Sequence, residues 1–112
     1  MNSHSFFLKE AINQAKIAFE QDEVPVGAVI VQKNSIISRA HNEKEQQNSI
    51  SAHAEFLAIQ RAIDYLGDWR LTGCVLYTTL EPCPMCAGAI LHSRLDEVVY
   101  AAHDLKWGAA GT

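Results

Sequence analysis

The sequence predicts one α/β domain spanning residues 1–112, with a mixed β-sheet flanked by helices. Three observations lead to this prediction. The length of 112 residues suits a single domain, apolar residues recur at helical and strand periods in turn, and turn-forming residues separate the periodic stretches. The predicted element order is α-β-β-α-β-α-β. Because its last two strands enclose a helix, we expect them to be parallel, joined by a right-handed crossover.

The first helix is predicted over residues 6–20, where apolar side chains recur at helical spacing. Ser3 or Ser5 is placed to cap its N-terminus. The expected buried stripe consists of Phe7, Leu8, Ala11, Ile12, Ala15, Ala18 and Phe19.

A hairpin follows, with short strands at residues 28–31 and 36–40 and a turn at Lys33-Asn34. Residues 41–51 are polar and are predicted to form a loop.

The second half of the chain alternates helix and strand. A helix is predicted from residue 51 or 52 to Leu66, with Gly67 as its stop signal. A strand follows at residues 74–80. The next helix runs to His92 with Pro82 in its first turn, and a last strand covers residues 98–101.

Composition limits the possible partners and compartments. With 48% apolar residues the chain is not of the disordered class, and a net charge of −4 lacks the basic footprint of many nucleic-acid-binding proteins. A nucleic-acid partner would therefore need a local patch or specific contacts. The first ten residues lack a secretory signal and the apolar runs are too short for a bilayer, so a cytoplasmic protein without a membrane partner is expected.

Four residues form the candidate chemical site: His53, Glu55, Cys83 and Cys86. One neutral imidazole and two thiolates are a good donor set for zinc. Three protein ligands leave a tetrahedral ion one open position, which distinguishes a catalytic zinc from a structural one. A carboxylate next to that position is suited to proton transfer, so Glu55 is the candidate catalytic residue.

The spacing of these residues indicates how they meet. Cys83 and Cys86 are three apart at a predicted helix start, so both sulfurs can lie on one side of the first turn, where the helix dipole favours thiolates. On an ideal helix His53 and Glu55 diverge by roughly 200°. Both can reach an ion only if it lies beyond the helix N-terminus. We therefore expect two helix N-termini to converge on one ion.

A structural zinc is the alternative, and it needs a fourth donor such as Cys74 or His92. Cys74 lies in an apolar strand-like run and is expected to be an inert core residue. His92 is roughly 9 Å along the helix axis from Cys86, which is too far. A structural zinc would also leave Glu55 unexplained.

Motifs then connect the chain to a family. His53-x-Glu55 with Pro82-Cys83-x-x-Cys86 is the signature of zinc-dependent nucleobase deaminases. Residues 6–112 resemble bacterial tRNA-specific adenosine deaminases, most clearly at residues 24–29, His41-Asn42, residues 79–89 and Asp104-x-Lys106-x-Gly108-Ala109-Ala110-Gly111.

This resemblance implies a three-layer cytidine deaminase-like fold, one Zn²⁺ per subunit held by His53, Cys83 and Cys86, and a homodimer. It implies hydrolytic deamination of adenosine to inosine at the wobble position of a tRNA anticodon, with the anticodon stem-loop as partner. By motif match, Asn42 would hydrogen-bond the base and the Ala54 N–H would face its polar edge, while Asp104 and Lys106 would meet flanking nucleotides. The family usually carries a further strand and a C-terminal helix beyond the position of residue 112.

Two further functions remain open at this point. A free-base or nucleoside deaminase of guanine or cytosine type would use the same metal site, but residues 104–111 favour the tRNA enzyme. A zinc-stabilised, non-catalytic RNA-binding module would need no carboxylate at position 55, so the intact Glu55 speaks against it.

Overall fold

The computed structural model describes residues 3–102, which form a four-stranded sheet with helices on both faces. The strands are β1 Gly27–Gln32, β2 Ser35–His41, β3 Cys74–Thr78 and β4 Glu97–Tyr100. The helices are α1 His4–Glu20, α2 Lys44–Gln47, α3 Ala54–Leu66 and α4 Pro84–His92. None of the helices in this part of the chain is both long and apolar enough to cross a membrane.

The sheet has the order β2-β1-β3-β4 and mixed direction. β1 is antiparallel to both β2 and β3, whereas β3 and β4 are parallel across the α4 connection, with Leu76 opposite Val98. The predicted parallel pair is confirmed. The register places Gly27 opposite His41, and Ala28 opposite Thr78, so the start of β1 and the ends of β2 and β3 lie at one end of the sheet.

The core lies on both faces of the sheet, which gives three layers. Alternate residues of β1 point to opposite faces. Ala28 and Ile30 belong to a cluster with side chains of α3 and α4, while Val29 and Val31 pack with Phe7 of α1. Burial from both sides explains why β1 is an almost continuous apolar run. The predicted α/β fold class with three layers is confirmed.

Helix α1 is capped by Ser3 as expected, but it begins at His4 rather than at residue 6 and buries a narrower stripe. The Ser3 hydroxyl accepts a hydrogen bond from the Phe6 N–H at 3.3 Å. The buried positions of α1 are Phe7, Ala11, Ala15 and Ala18. Placing Phe19 and Ile12 in the stripe was wrong, since they are 70% and 40% exposed. Both lie roughly 80–100° around the helix from Ala11, on the flank rather than the face that meets the sheet.

Other elements also differ from the prediction, and α3 begins at Ala54 rather than at residue 51 or 52. Residues 41–51 contain the one-turn helix α2, and β3 ends at Thr78 rather than at residue 80. Helix α4 begins at Pro84 with Cys83 as its N-cap, so Pro84 rather than Pro82 occupies the first turn. Proline is accepted in the first turn for the reason predicted: at the first helical position its missing N–H costs no hydrogen bond of the helix.

Gly27 lies where α1 comes closest to the sheet. A Cβ at this position would lie 2.1 Å from the Ala11 carbonyl oxygen and 2.4 Å from the Ala15 amide nitrogen. Both obstacles are helix backbone, which cannot rotate away. The close approach of α1 to β1 therefore depends on this glycine.

We expect Gly27→Ala to lower the free energy of unfolding by about 3 kcal/mol or more, since overpacking against backbone forces a helix shift. Urea denaturation measures this change. Gly88→Ala in α4 is the matched control, because a Cβ there meets no atom within 4 Å, and it should be neutral or stabilising by about 0.5–1 kcal/mol. Equal stability of the two variants would contradict the packing argument.

Candidate active site

Two helix N-termini meet at the end of the sheet where β1 begins and β3 ends. His53 is the N-cap of α3, and Cys83 is the N-cap of α4, each in extended backbone conformation. Neither side chain makes a capping hydrogen bond, so both are available as metal ligands. Cys86 lies in the first turn of α4 and is fully buried.

The three donor atoms have the separations of a zinc site. The Nδ1 atom of His53 lies 3.6 Å from the Cys83 Sγ and 3.7 Å from the Cys86 Sγ. All three donor atoms lie within 4.8 Å of one another. A tetrahedral zinc with ordinary Zn–N and Zn–S bonds would place nitrogen and sulfur about 3.6 Å apart. The two nitrogen–sulfur distances therefore match those of a tetrahedral zinc site.

The pKa values of these side chains show which charged forms a cation would have to stabilise. Burial, with a smaller contribution from the Lys44 charge, lowers the pKa of His53, which favours the neutral imidazole that a metal needs. Burial raises the pKa of the Cys86 thiol far above its ordinary value, and the Glu55 and Cys83 charges add to this. Desolvation thus opposes the thiolate form of Cys86 that the helix dipole is expected to favour. A cation in contact with the sulfur would lower the pKa of the thiol and so favour the thiolate.

Glu55 occupies the first turn of α3, two residues after His53, and is only 4% exposed. Burial raises the pKa of its carboxyl to about 7, partly opposed by a backbone hydrogen bond. A carboxyl of this kind can hold or release a proton near neutral pH.

Glu55 and two of the donor residues open on a shared cavity of about 500 Å³, a size typical of small-ligand sites. It is lined by Val24, Val26, Asn42, Lys44, His53, Glu55, Leu80, Glu81, Cys83 and Pro84.

The residues expected to contact substrate fall into two groups. Asn42 is 6% exposed and lines the cavity, and its backbone N–H donates to the Val26 carbonyl at 3.0 Å. Ala54 is buried at the first position of α3, where a backbone N–H has no acceptor within the helix. Asp104 and Lys106 lie outside the described residues.

The two residues considered as a fourth donor stand apart from this cluster. Cys74 is fully buried at the start of β3, as expected of a core residue, and burial raises the pKa of its thiol. His92 is exposed at the far end of α4. Among residues 3–102, His53, Cys83 and Cys86 are the one group of three or more histidine, cysteine or acidic residues close enough to share an ion.

Several cavity residues were not singled out from the sequence. Lys44 and Glu81 line the cavity, and Glu81 is almost completely buried. Glu81 stands two residues before Cys83, so its proximity to the metal ligands was a usable signal. Lys44 lies in the segment predicted to be a plain loop, and nothing local marked it. Val24 and Val26 are within a stretch that carries the family resemblance.

Comparisons with known proteins agree with this geometry. A model of the MafB19-like deaminase family matches residues 1–108. The tRNA-specific adenosine deaminase of Bacillus subtilis (strain 168) is 53% identical over 112 residues, which are 100% of this chain and 70% of that protein.

Two solved structures are also similar. One comes from studies of A-to-I editing by tRNA:A34 deaminases at the wobble position of transfer RNA. Its TM-score is 0.92 at 45% identity, over 94% of this chain and 76% of that one. The other is a guanine deaminase from Bacillus subtilis, with a TM-score of 0.88 at 44% identity over 92% of this chain and 66% of that one.

Replacing a donor should remove metal and stability together, because metal binding couples to folding. We expect Cys83→Ala and His53→Ala to lose stoichiometric zinc and to melt at a lower temperature than the zinc-loaded parent. A chelator should lower the melting temperature of the parent but leave these variants unchanged. Elemental analysis and calorimetry measure both effects.

Cys74→Ala is the control for this experiment, since it removes a cysteine outside the donor cluster and should keep full zinc content. Unchanged zinc and melting temperature in the His53 and Cys83 variants would eliminate the proposed ligand set.

Proposed function

The chain belongs to the tRNA-specific adenosine deaminase family, and from this premise we propose that it hydrolyses adenosine to inosine at the wobble position of a tRNA anticodon. One observation carries the proposal: three zinc-type donors lie at metal spacing, and two of them, His53 and Cys83, share a cavity with the buried carboxyl of Glu55. We treat residues 1–112 as one zinc deaminase domain.

We propose that His53, Cys83 and Cys86 hold one Zn²⁺ per subunit. The neutral imidazole and two sulfurs match the preference of the ion, and three ligands leave a position open to the cavity. When bound in such a site, zinc acts as a Lewis acid that lowers the pKa of water to about 7.

Glu55 is the proposed proton carrier. Hydrolysis adds water to the amino-bearing ring carbon and releases ammonia, so protons must pass from the water to the ring nitrogen and then to the leaving amine. A carboxyl with a pKa of about 7 can accept a proton and return it near neutral pH. It is buried at the start of α3, two residues after His53, and lines the same cavity as His53 and Cys83.

The cavity walls are the proposed binding site for the base. The Asn42 amide can hydrogen-bond the base, and the Ala54 N–H can face its polar edge, while Asp104 and Lys106 stay predicted contacts to flanking nucleotides. A base must leave its stack to reach a buried carboxyl, and a single-stranded anticodon loop permits this at low cost. The homodimer and the cytoplasmic location also stay predictions.

A free-base deaminase is the second candidate, and the similarity to a guanine deaminase structure favours it over a non-catalytic RNA-binding module. Both candidate enzymes use the same donors and the same carboxyl. They differ in whether the substrate needs an RNA strand around the base.

Substrate preference is tested by ammonia release with product identification. The zinc-loaded protein is given an anticodon stem-loop with wobble adenosine and, separately, guanine, cytosine, cytidine and adenosine. We expect inosine in the RNA and no product from the free compounds. Turnover of guanine alone would transfer the assignment to the second candidate.

Glu55→Gln should keep zinc and fold but lower kcat by about 10²- to 10⁴-fold, the range for loss of a general acid–base group. The amide has the shape of the protonated carboxyl, so the melting temperature should change little. Stopped assays on the stem-loop measure kcat, with Glu45→Gln, an exposed residue in α2, as the matched control. Undiminished turnover in Glu55→Gln would remove Glu55 from the mechanism.

A further inference from the structure

Glu23 is a buried carboxylate that the proposed chemistry does not use. It follows α1 in the chain, is only 4% exposed, and is not among the residues lining the cavity. A buried carboxylate is costly unless strong hydrogen-bond donors surround it. Its donors therefore indicate what it does.

Those donors are backbone amides of α2, about twenty positions along the chain. The Glu23 Oε1 accepts from the Glu45 N–H at 3.1 Å, and its Oε2 accepts from the Gln46 N–H at 2.8 Å. Glu43 is the N-cap of α2 but its side chain makes no capping bond. Glu45 and Gln46 are the second and third helical positions, whose amides an N-cap side chain normally binds. Glu23 thus caps α2 from another segment by accepting from two amides that have no acceptor within this single helical turn.

This cap joins two walls of the active-site cavity. Val24 and Val26 closely follow Glu23, and Asn42 and Lys44 closely precede the amides that it binds; all four line the cavity. The Asn42 N–H also donates a hydrogen bond to the Val26 carbonyl at 3.0 Å, which joins the same two segments. Lys44 is the one lysine or arginine among the described residues that line the cavity, so this wall carries the charge that an RNA phosphate would meet.

We propose that Glu23 is a positioning residue that holds Asn42 and Lys44 in the cavity wall and so sets the affinity for the RNA substrate without touching it. This inference rests on the proposed function. The metal donors are on α3 and α4, outside the segment that Glu23 anchors, so loss of Glu23 should affect binding rather than zinc.

The test compares Glu23→Ala and Glu23→Gln in the zinc-loaded protein. Alanine removes both acceptors, whereas glutamine keeps one carbonyl oxygen for one of the two amides. We expect Glu23→Ala to raise KM for the stem-loop about tenfold, the factor equivalent to losing a charge-assisted hydrogen bond. Glutamine should give a smaller increase, and kcat and zinc content should stay near those of the parent.

Amide hydrogen exchange gives a readout that does not need turnover. The Glu45 and Gln46 amides should exchange faster in Glu23→Ala than in the parent, while the amides of α3 keep their protection. Glu20→Ala, an exposed acidic residue at the end of α1, is the control and should change neither KM nor exchange.

The outcomes separate this inference from the proposed function. No inosine from the parent contradicts the proposed function itself. Inosine from the parent with an unchanged KM in folded Glu23→Ala contradicts the positioning role, as does unchanged exchange at Glu45 and Gln46. If Glu23→Ala does not fold, the comparison of Glu23→Gln with the parent decides.

Discussion

The meeting of the α3 and α4 N-termini at one end of the sheet is the constraint on which the site depends. The sheet fixes where both helices begin, because β1 lies between β2 and β3 and its partners end on the same side. Each helix contributes its N-cap residue, and α4 adds Cys86 from its first turn. Helices α3 and α4 pack into the core directly after His53 and Cys83, which limits how far these side chains can move. A metal site needs such rigidity to keep three donors at bonding separation.

The same convergence creates an electrostatic problem that a cation solves. Burial raises the pKa of both Cys86 and Glu55, so apolar surroundings oppose the charged forms of both groups. A divalent cation held by the proposed ligands would stabilise the sulfur anion directly and leave the carboxyl free to exchange protons. One ion would therefore contribute both to the stability of the site and to its chemistry.

The sequence predicts the fold class, the order of the main elements and the donor cluster, because each depends on local signals. Apolar periodicity located α1 and α3, and the spacing of Cys83 and Cys86 located the start of α4 within two residues. The sequence could not show which flank of α1 is exposed, so Phe19 was misplaced in the core. It also could not show α2, since one turn of helix has little propensity of its own. This turn is held by Glu23, a partner remote in sequence.

Local sequence signals identify the residues proposed for the chemistry, but they do not show the contacts between distant segments that shape the cavity wall. An adenosine deaminase of RNA and a free-base deaminase can share the same donors and carboxyl, so the difference between them must come from residues outside this set, those of the cavity wall among them. Here that wall is built from two segments, one before β1 and one after β2, whose backbone is joined through Glu23 and through the Asn42–Val26 hydrogen bond. Side-chain changes in these segments can alter the ligand while the metal ligands stay in place, because α3 and α4 contribute side chains of their own to the core. Substrate choice in this fold is therefore better sought in the loops than in the metal ligands.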